Sequence, residues 1–281
     1  MFRPAGGAVY SMSALLWLPP IVRALTTALL VVAASAAAES FGPVWGALIA
    51  SLPVSAGPAY VFLALRHGDA FVADGALGSC VANASTGLFL IVYGMTAARL
   101  PSRRSLGCAT LAWLAASAAA AAFTWSAATA TALNLVVYTS GFALLALFPP
   151  RQTERVIVRR RRWFELPVRA AAVALFVTLL LGVSGWLGSR ASGFAAVFPI
   201  SLISLLVIAR PRLGGTAAAS MAASALRAML GFGLMLLVLH ETVLPWGAPA
   251  AFAAALSVSL GWSAALLAWE RYRAPAVSPP R

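Results

Sequence analysis

Residues 52–68 read LPVSAGPAYVFLALRHG, and residues 198–214, which lie 146 positions later, read FPISLISLLVIARPRLG. The two stretches carry the same distinctive residues at the same places: Pro53 and Pro199, Ser55 and Ser201, Arg66 and Arg212, Gly68 and Gly214. The match extends without a gap over residues 22–96 and 168–242, where about 21 of 75 positions are identical. The chain therefore contains a duplicated unit, and such repeats in an apolar chain are typical of transport proteins.

The composition indicates a membrane protein. Hydrophobic residues make up 62% of the chain and charged residues 10%, whereas soluble domains are about half apolar and a quarter charged. Apolar runs near the roughly 20 residues needed to cross a bilayer recur along the sequence. All 20 basic residues are arginine, and together with the alanine content this points to a GC-rich bacterial genome.

Breaks in the apolar pattern predict nine spans. A single helix from 106 to 147 would be about twice as long as the hydrocarbon layer is thick, so that stretch is divided near 126–129. The spans are 19–38, 44–65, 71–97, 106–125, 129–148, 166–186, 191–209, 216–240 and 247–269. They group into a first unit (19–125), a linking helix (129–148), a basic loop (151–165), a second unit (166–269) and a disordered tail (270–281).

The arginines predict the orientation in the membrane. With the N-terminus outside, 15 of them lie on the inner side and four on the outer side, as the positive-inside rule requires. The net charge of +13 is then a matter of topology, and nucleic acid is not expected as a partner. The basic loop, Arg151 to Arg162, is expected to contact anionic lipid headgroups at the inner leaflet.

The same count predicts that the two units are inverted. Five crossings separate Arg23 from Arg169, so the second unit starts on the opposite side of the membrane. The expected fold is an all-α integral membrane protein with about nine transmembrane helices in two inverted four-helix repeats plus one linking helix. Such an arrangement can open to either side in turn.

Two kinds of residue are candidates for a substrate site. Pro53 and Pro199, each followed two residues later by Ser55 or Ser201, would break the second helix of each unit and expose backbone groups and hydroxyls. A packing kink is the alternative. Arg227 is predicted near the middle of the bilayer, where a charge is costly and marks a functional site, with Asn83 at nearly the equivalent depth in the first unit. Its alternative is a structural role, paired with Asp74 or with freed carbonyls.

Four further polar residues fall near the outer ends of spans three and eight. Asp69, Asp74, His240 and Glu241 could couple transport to protons or form a gate, although ordinary interfacial residues would look the same. Enzyme motifs are missing from the sequence: it has no HExxH, no phosphate-binding glycine loop, no CxxC and no GxSxG. No enzyme activity, cofactor or metal is expected.

The stretch Gly46-Ala-Leu-Ile-Ala-Ser-Leu-Pro-Val-Ser55, followed by Arg66-His-Gly68 and a glycine-rich third helix, resembles the small four-helix GlpM-like proteins of bacterial inner membranes. The resemblance covers mainly residues 22–96 and 168–242 and implies an inner-membrane location. From the sequence we expect a multi-pass transporter or a lipid or solute permease that works by alternating access, with an anionic or amphipathic substrate. The alternative is a non-transporting scaffold or accessory subunit of a membrane complex.

Overall fold

The computed structural model describes residues 56–148 and 165–273, together with the helical positions Val22, Leu25, Thr26 and Leu29. The described part is all helical, as predicted. Its six helices are α1 (Ala56–His67), α2 (Asp69–Thr96), α3 (Ser102–Ala121), α4 (Ala127–Leu147), α5 (Glu165–Ala196) and α6 (Ile200–Arg273).

Glycines lie between α1 and α2 and at three bends inside α5 and α6. Gly68 lies between α1 and α2 with φ 84° and ψ 179°, and Gly214 bends α6 with φ 85° and ψ 171°. Gly188 bends α5, and Gly247 bends α6 a second time, both at positive φ. Positive φ is the region that only glycine adopts without strain. Gly68 and Gly214, which correspond in the duplicated sequence, therefore make the same turn.

Within the described residues, four helical stretches are long and apolar enough to cross a membrane: Asp69–Thr96, Ala127–Leu147, Ala170–Ile208 and Leu213–Trp269. The last has 57 residues, well over the roughly 20 that one crossing needs, and it bends at Gly247. Helix α3, which covers most of the predicted span 106–125, is less apolar and is not among the four. The predicted spans 19–38 and 44–65 lie largely outside the described residues.

The seventh predicted span, 191–209, is divided at its proline: the chain leaves helical geometry at residues 197–199 and resumes at Ile200. Pro199 has no N–H to give to the preceding turn, so α5 closes with the short bonds Val197 N to Phe194 O and Phe198 N to Ala195 O. The Pro199 carbonyl then accepts from Ile203 and starts α6.

Helix α2 is the centre of the molecule, because it contacts all five other described helices. It runs antiparallel to residues 215–246 of α6: Ala73 meets His240, Asn83 meets Met229, and the carbonyl of Ala97 lies against Gly215. Close approach depends on small residues. A Cβ atom on Gly215 would lie 2.4 Å from the Ala97 carbonyl oxygen, so these backbones touch directly.

The buried apolar side chains form two clusters, one on either side of the middle of α2. One cluster contains Leu63, Val72 and Leu236, and the other contains Phe89, Tyr93 and Leu226. The stretch of α2 that separates them carries Asn83, Ser85 and Thr86, all of which are buried. The core is therefore interrupted by polar groups at its centre.

Candidate functional site in the polar layer

The polar layer consists of Cys80, Asn83 and Thr86 on α2 and Asn134 and Tyr138 on α4. Its central bond joins the only two asparagines of the chain: Asn83 Nδ2 donates to Asn134 Oδ1 at 3.0 Å. Asn83 Nδ2 also donates to the Met229 carbonyl of α6 at 3.0 Å. Through this one amide group, three helices are tied together in the apolar interior.

The remaining bonds fix both asparagines. Asn134 Nδ2 donates to the Cys80 carbonyl at 2.8 Å, and the Tyr138 hydroxyl donates to the Asn83 carbonyl at 3.0 Å. These contacts also decide how the Asn83 amide is oriented, since a flipped amide would place its oxygen against two acceptors, Asn134 Oδ1 and the Met229 carbonyl. The sequence predicted Asn83 as a site residue but missed Asn134 and Tyr138. Two features of the sequence could have identified them. Asparagine occurs only twice in the chain, and Asn134 and Tyr138 are four residues apart and so lie on one face of a helix.

Asn83 Oδ1 accepts no hydrogen bond from the described residues, although Asn83 is completely buried. A buried amide oxygen without a donor costs about 1–3 kcal/mol. The layer thus presents an acceptor that an N–H or O–H group of a ligand can satisfy. Amides, hydroxyls and a thiol suit recognition by hydrogen bonding. The described residues contain no group of His, Cys, Asp and Glu that could hold a metal ion.

The interrupted chain at residues 197–199 faces this layer. Thr86 Oγ1 lies 3.5 Å from the Val197 carbonyl oxygen and receives a 3.1 Å bond from the Trp113 indole N–H of α3. The Phe198 ring packs edge-on against Trp113 at 5.1 Å. The carbonyl of Val197, in the break between α5 and α6, is therefore turned towards the middle of α2.

Arg227 lies elsewhere. Its side chain is exposed on the surface of α6, and its backbone carbonyl accepts a 3.0 Å bond from the Trp262 indole. Met229 is the residue that turns its carbonyl to Asn83, and two residues along an α-helix correspond to about 200° of rotation. Arg227 is thus an exposed side chain, whereas Asn83 and Asn134 of the layer are buried. Its predicted alternative partner, Asp74, contacts a different arginine.

The four polar residues predicted as a gate do not bond to one another within the described part of the chain. Asp74 accepts a hydrogen bond from Ser189 Oγ and lies 3.6 Å from Arg190 Nε. His240 Nδ1 lies 2.8 Å from the Ala73 carbonyl oxygen, so it joins α6 to α2 through the backbone. Asp69 is half-buried near the bend at Gly247, and Glu241 is exposed.

The other predicted site residues fall in two groups. Pro199 and Ser201 flank the start of α6, with Pro199 buried and Ser201 half-buried. Pro53, Ser55 and the basic stretch Arg151 to Arg162 lie outside the described residues. The structure brings Pro199 and Asn83 to the same region through Thr86 and Val197.

No protein-family model matches the sequence, and no match was found to a curated protein or to a solved structure.

Proposed function

We propose that the protein is a multi-pass inner-membrane permease in which two inverted four-helix units move an anionic or amphipathic solute by alternating access. The single observation that carries the proposal is the bond between Asn83 and Met229. These residues are 146 positions apart and are equivalent in the duplicated sequence, yet they contact each other where α2 and α6 cross antiparallel.

Contacts on either side of that bond are also related by the shift of 146 residues. Ala73 meets His240 through the His240 ring, and a Cβ on Gly94 would lie 3.9 Å from the Ala219 carbonyl. In the duplicated sequence, Ala219 is the equivalent of Ala73 and His240 is the equivalent of Gly94. The two contacts therefore join the same equivalent positions with the two units exchanged. This exchange is what a two-fold axis through the Asn83–Met229 crossing would produce. Two units related in that way have opposite orientations along the membrane normal.

The polar layer provides the place for a solute. Inverted-repeat carriers hold their substrate near the bilayer centre, where interrupted helices turn backbone groups to a cavity. Here the interruption at 197–199, the unpartnered Asn83 oxygen and the Thr86 hydroxyl meet at the crossing. Arg227, Ser201, Pro53 and Ser55 remain proposed contacts for the solute in other states of the transport cycle.

Location and orientation belong to the same proposal. We place the N-terminus outside and the C-terminus in the cytoplasm, with nine crossings between them. This topology puts most of the arginines on the inner side, as the positive-inside rule requires. The resemblance of each unit to GlpM-like proteins supports the bacterial inner membrane.

The native Cys80 allows a test that needs no knowledge of the solute. It lies in the polar layer and is 2% exposed, while the only other cysteine, Cys108, is exposed on α3. In a Cys108→Ala protein, we expect a membrane-impermeant anionic methanethiosulfonate to label Cys80 from outside in right-side-out vesicles. We also expect labelling from the cytoplasmic face in inside-out vesicles. The Cys80→Ala/Cys108→Ala protein gives the background.

Labelling from both faces is the result that alternating access requires. Labelling from one face shows a fixed cavity and rejects the mechanism. Absence of labelling from either face, in protein that still reacts after denaturation, rejects the permease and favours the scaffold.

A further inference from the structure

A groove lies beside the polar layer, between α2, α3 and the short helix that follows the bend at Gly188 (residues 189–196). Its volume is about 420 Å³, within the range of small-molecule sites. Most of its walls are apolar, with Val81 on α2, Trp113 on α3 and Phe194 on the short helix. Trp125, in the loop after α3, also lines it.

Two polar side chains break the apolar lining, and Arg190 is the charged one. Asp74 contacts its Nε at 3.6 Å, and the other guanidinium N–H groups make no bond to a described residue. The backbone below it is fixed, because a Cβ on Gly78 would lie 2.7 Å from the Arg190 carbonyl oxygen. Arg190 is thus a half-exposed cation that lines an apolar groove, on a backbone packed against α2.

Ser117 is the second polar group. It is 8% exposed, and its hydroxyl has no hydrogen-bond partner among the described residues. Helical serines and threonines usually donate to the carbonyl four residues earlier, as Thr131 and Ser140 do here. Ser117 does not, so its hydroxyl is available to a molecule in the groove.

We propose that this groove binds a long-chain fatty acid, with its carboxylate on Arg190 and its hydrocarbon chain along the apolar walls. A carboxylate matches the planar guanidinium and carries the single negative charge that one arginine can neutralise. The Ser117 hydroxyl is the second donor to the carboxylate, because the hydrocarbon chain has no atom that accepts a hydrogen bond. The inference deepens the proposed function by naming the substrate class, and rests on it for the idea that the bound acid is carried.

The ion pair with Asp74 gives the sharpest test. If Arg190 is the anion site, Asp74 competes with the ligand for it. Asp74→Asn should then strengthen fatty-acid binding several-fold, and Arg190→Gln should weaken it roughly tenfold or more, as expected for a lost charged hydrogen bond. If the pair served only to hold the short helix against α2, both variants would weaken binding. Arg103→Gln, an exposed arginine at the other end of α3, is the matched charge control.

Binding is measured by quenching of tryptophan fluorescence with dibromostearate, using the full chain in nanodiscs of zwitterionic lipid. Trp113 and Trp125 line the groove. The Trp125→Phe variant shows how much of the quenching comes from Trp125. The methyl ester of dibromostearate partitions into the bilayer but has no charge, so it reports quenching of exposed tryptophans such as Trp186. We expect a saturable component with the acid that the ester lacks and that Ser117→Leu, which fills the groove, removes.

Equal quenching by acid and ester overturns the proposal, as does an Asp74→Asn protein that binds less acid than the wild type. Stronger quenching by a dibrominated lysophospholipid than by the acid would assign the groove to a phospholipid and overturn it too. Folding of each variant is checked by thermal unfolding. If the protein does not bind the acid but Cys80 is labelled from both faces, only this inference is overturned. If the protein binds the acid but Cys80 is labelled from neither face, only the proposed permease function is overturned.

Discussion

The side-chain amide of Asn83 donates a 3.0 Å hydrogen bond to the backbone carbonyl of Met229, the residue that follows it by 146 positions. The same nitrogen also donates to Asn134 Oδ1. One buried group therefore joins α2 to both α6 and α4. The first prediction concerns the strength of this junction.

Replacing Asn83 by Leu should destabilise the protein by about 1–2 kcal/mol, because Asn134 Oδ1 and the Met229 carbonyl both lose a donor in an apolar interior. The Asn83→Leu/Asn134→Leu double variant should lose less than the sum of the two single changes, since the second change removes a group that the first left unpaired. Thermal unfolding in detergent measures both effects. Thr139→Val is the control, because Thr139 is exposed and bonds within its own helix. Strictly additive losses would contradict the coupling.

The close packing of the short helix on α2 leads to a second prediction. A Cβ on Gly193 would lie 2.0 Å from the Gly75 carbonyl oxygen, and backbone on both sides leaves nothing flexible to move. Gly193→Ala should therefore cost about 1–3 kcal/mol. Gly182→Ala is the matched control, since a Cβ there meets nothing within 4 Å and alanine favours the helix. Equal melting temperatures for the two variants would show that the helices are not in contact.

A third prediction concerns pH and His67, at the end of α1. Its Nε2 lies 2.9 Å from Ser184 Oγ, and its ring stacks on Phe71 at 4.1 Å. Burial, and to a lesser degree the positive Arg66, lowers the pKa of His67 below its ordinary 6.5. The folded state therefore favours the neutral ring. Its contribution to stability is complete above pH 6.5 and declines as the pH falls through the lowered pKa.

The measurement compares the melting temperature of the wild type with that of His67→Gln between pH 7.5 and 5. Gln keeps a hydrogen-bonding group for Ser184 but does not titrate in this range, so the variant should lose less stability on acidification. The difference should be small, because His67 is only half-buried. If the variant loses as much stability on acidification as the wild type, His67 is not the cause of the pH dependence.

The sequence predicted where the helices break better than which faces they present. Gly68, Gly188, Gly214 and Gly247 all fall within predicted breaks, because a backbone at positive φ needs glycine whatever surrounds it. Arg227 shows the limit. Counting residues gave its depth along the helix, but its direction depends on the register of α6 against α2, and each residue of register turns the helix by about 100°.

The polar layer shows the same limit in another way. Asn83 stood out as a polar residue in an apolar helix, while Asn134 lay in a span to which only a linking role was given. Their pairing is a contact across 51 residues, set by how α4 packs on α2. Periodicity within one helix carries no information on such a contact, so Asn134 and Tyr138 required the structure.

The last prediction is the topology on which the inversion depends. Nine crossings with 15 arginines inside and four outside predict that reporters fused after residues 69, 104, 128, 155, 190 and 281 read outside, inside, outside, inside, outside, inside. The antiparallel crossing of α2 and α6 requires residues 69 and 215 to lie on opposite sides if each segment crosses once. A fusion after residue 215 should therefore read inside. An inside signal after both 69 and 104 would overturn the span assignment and the inversion with it. An outside signal after 215 would place the two units in the same orientation. Either result would remove the basis for alternating access.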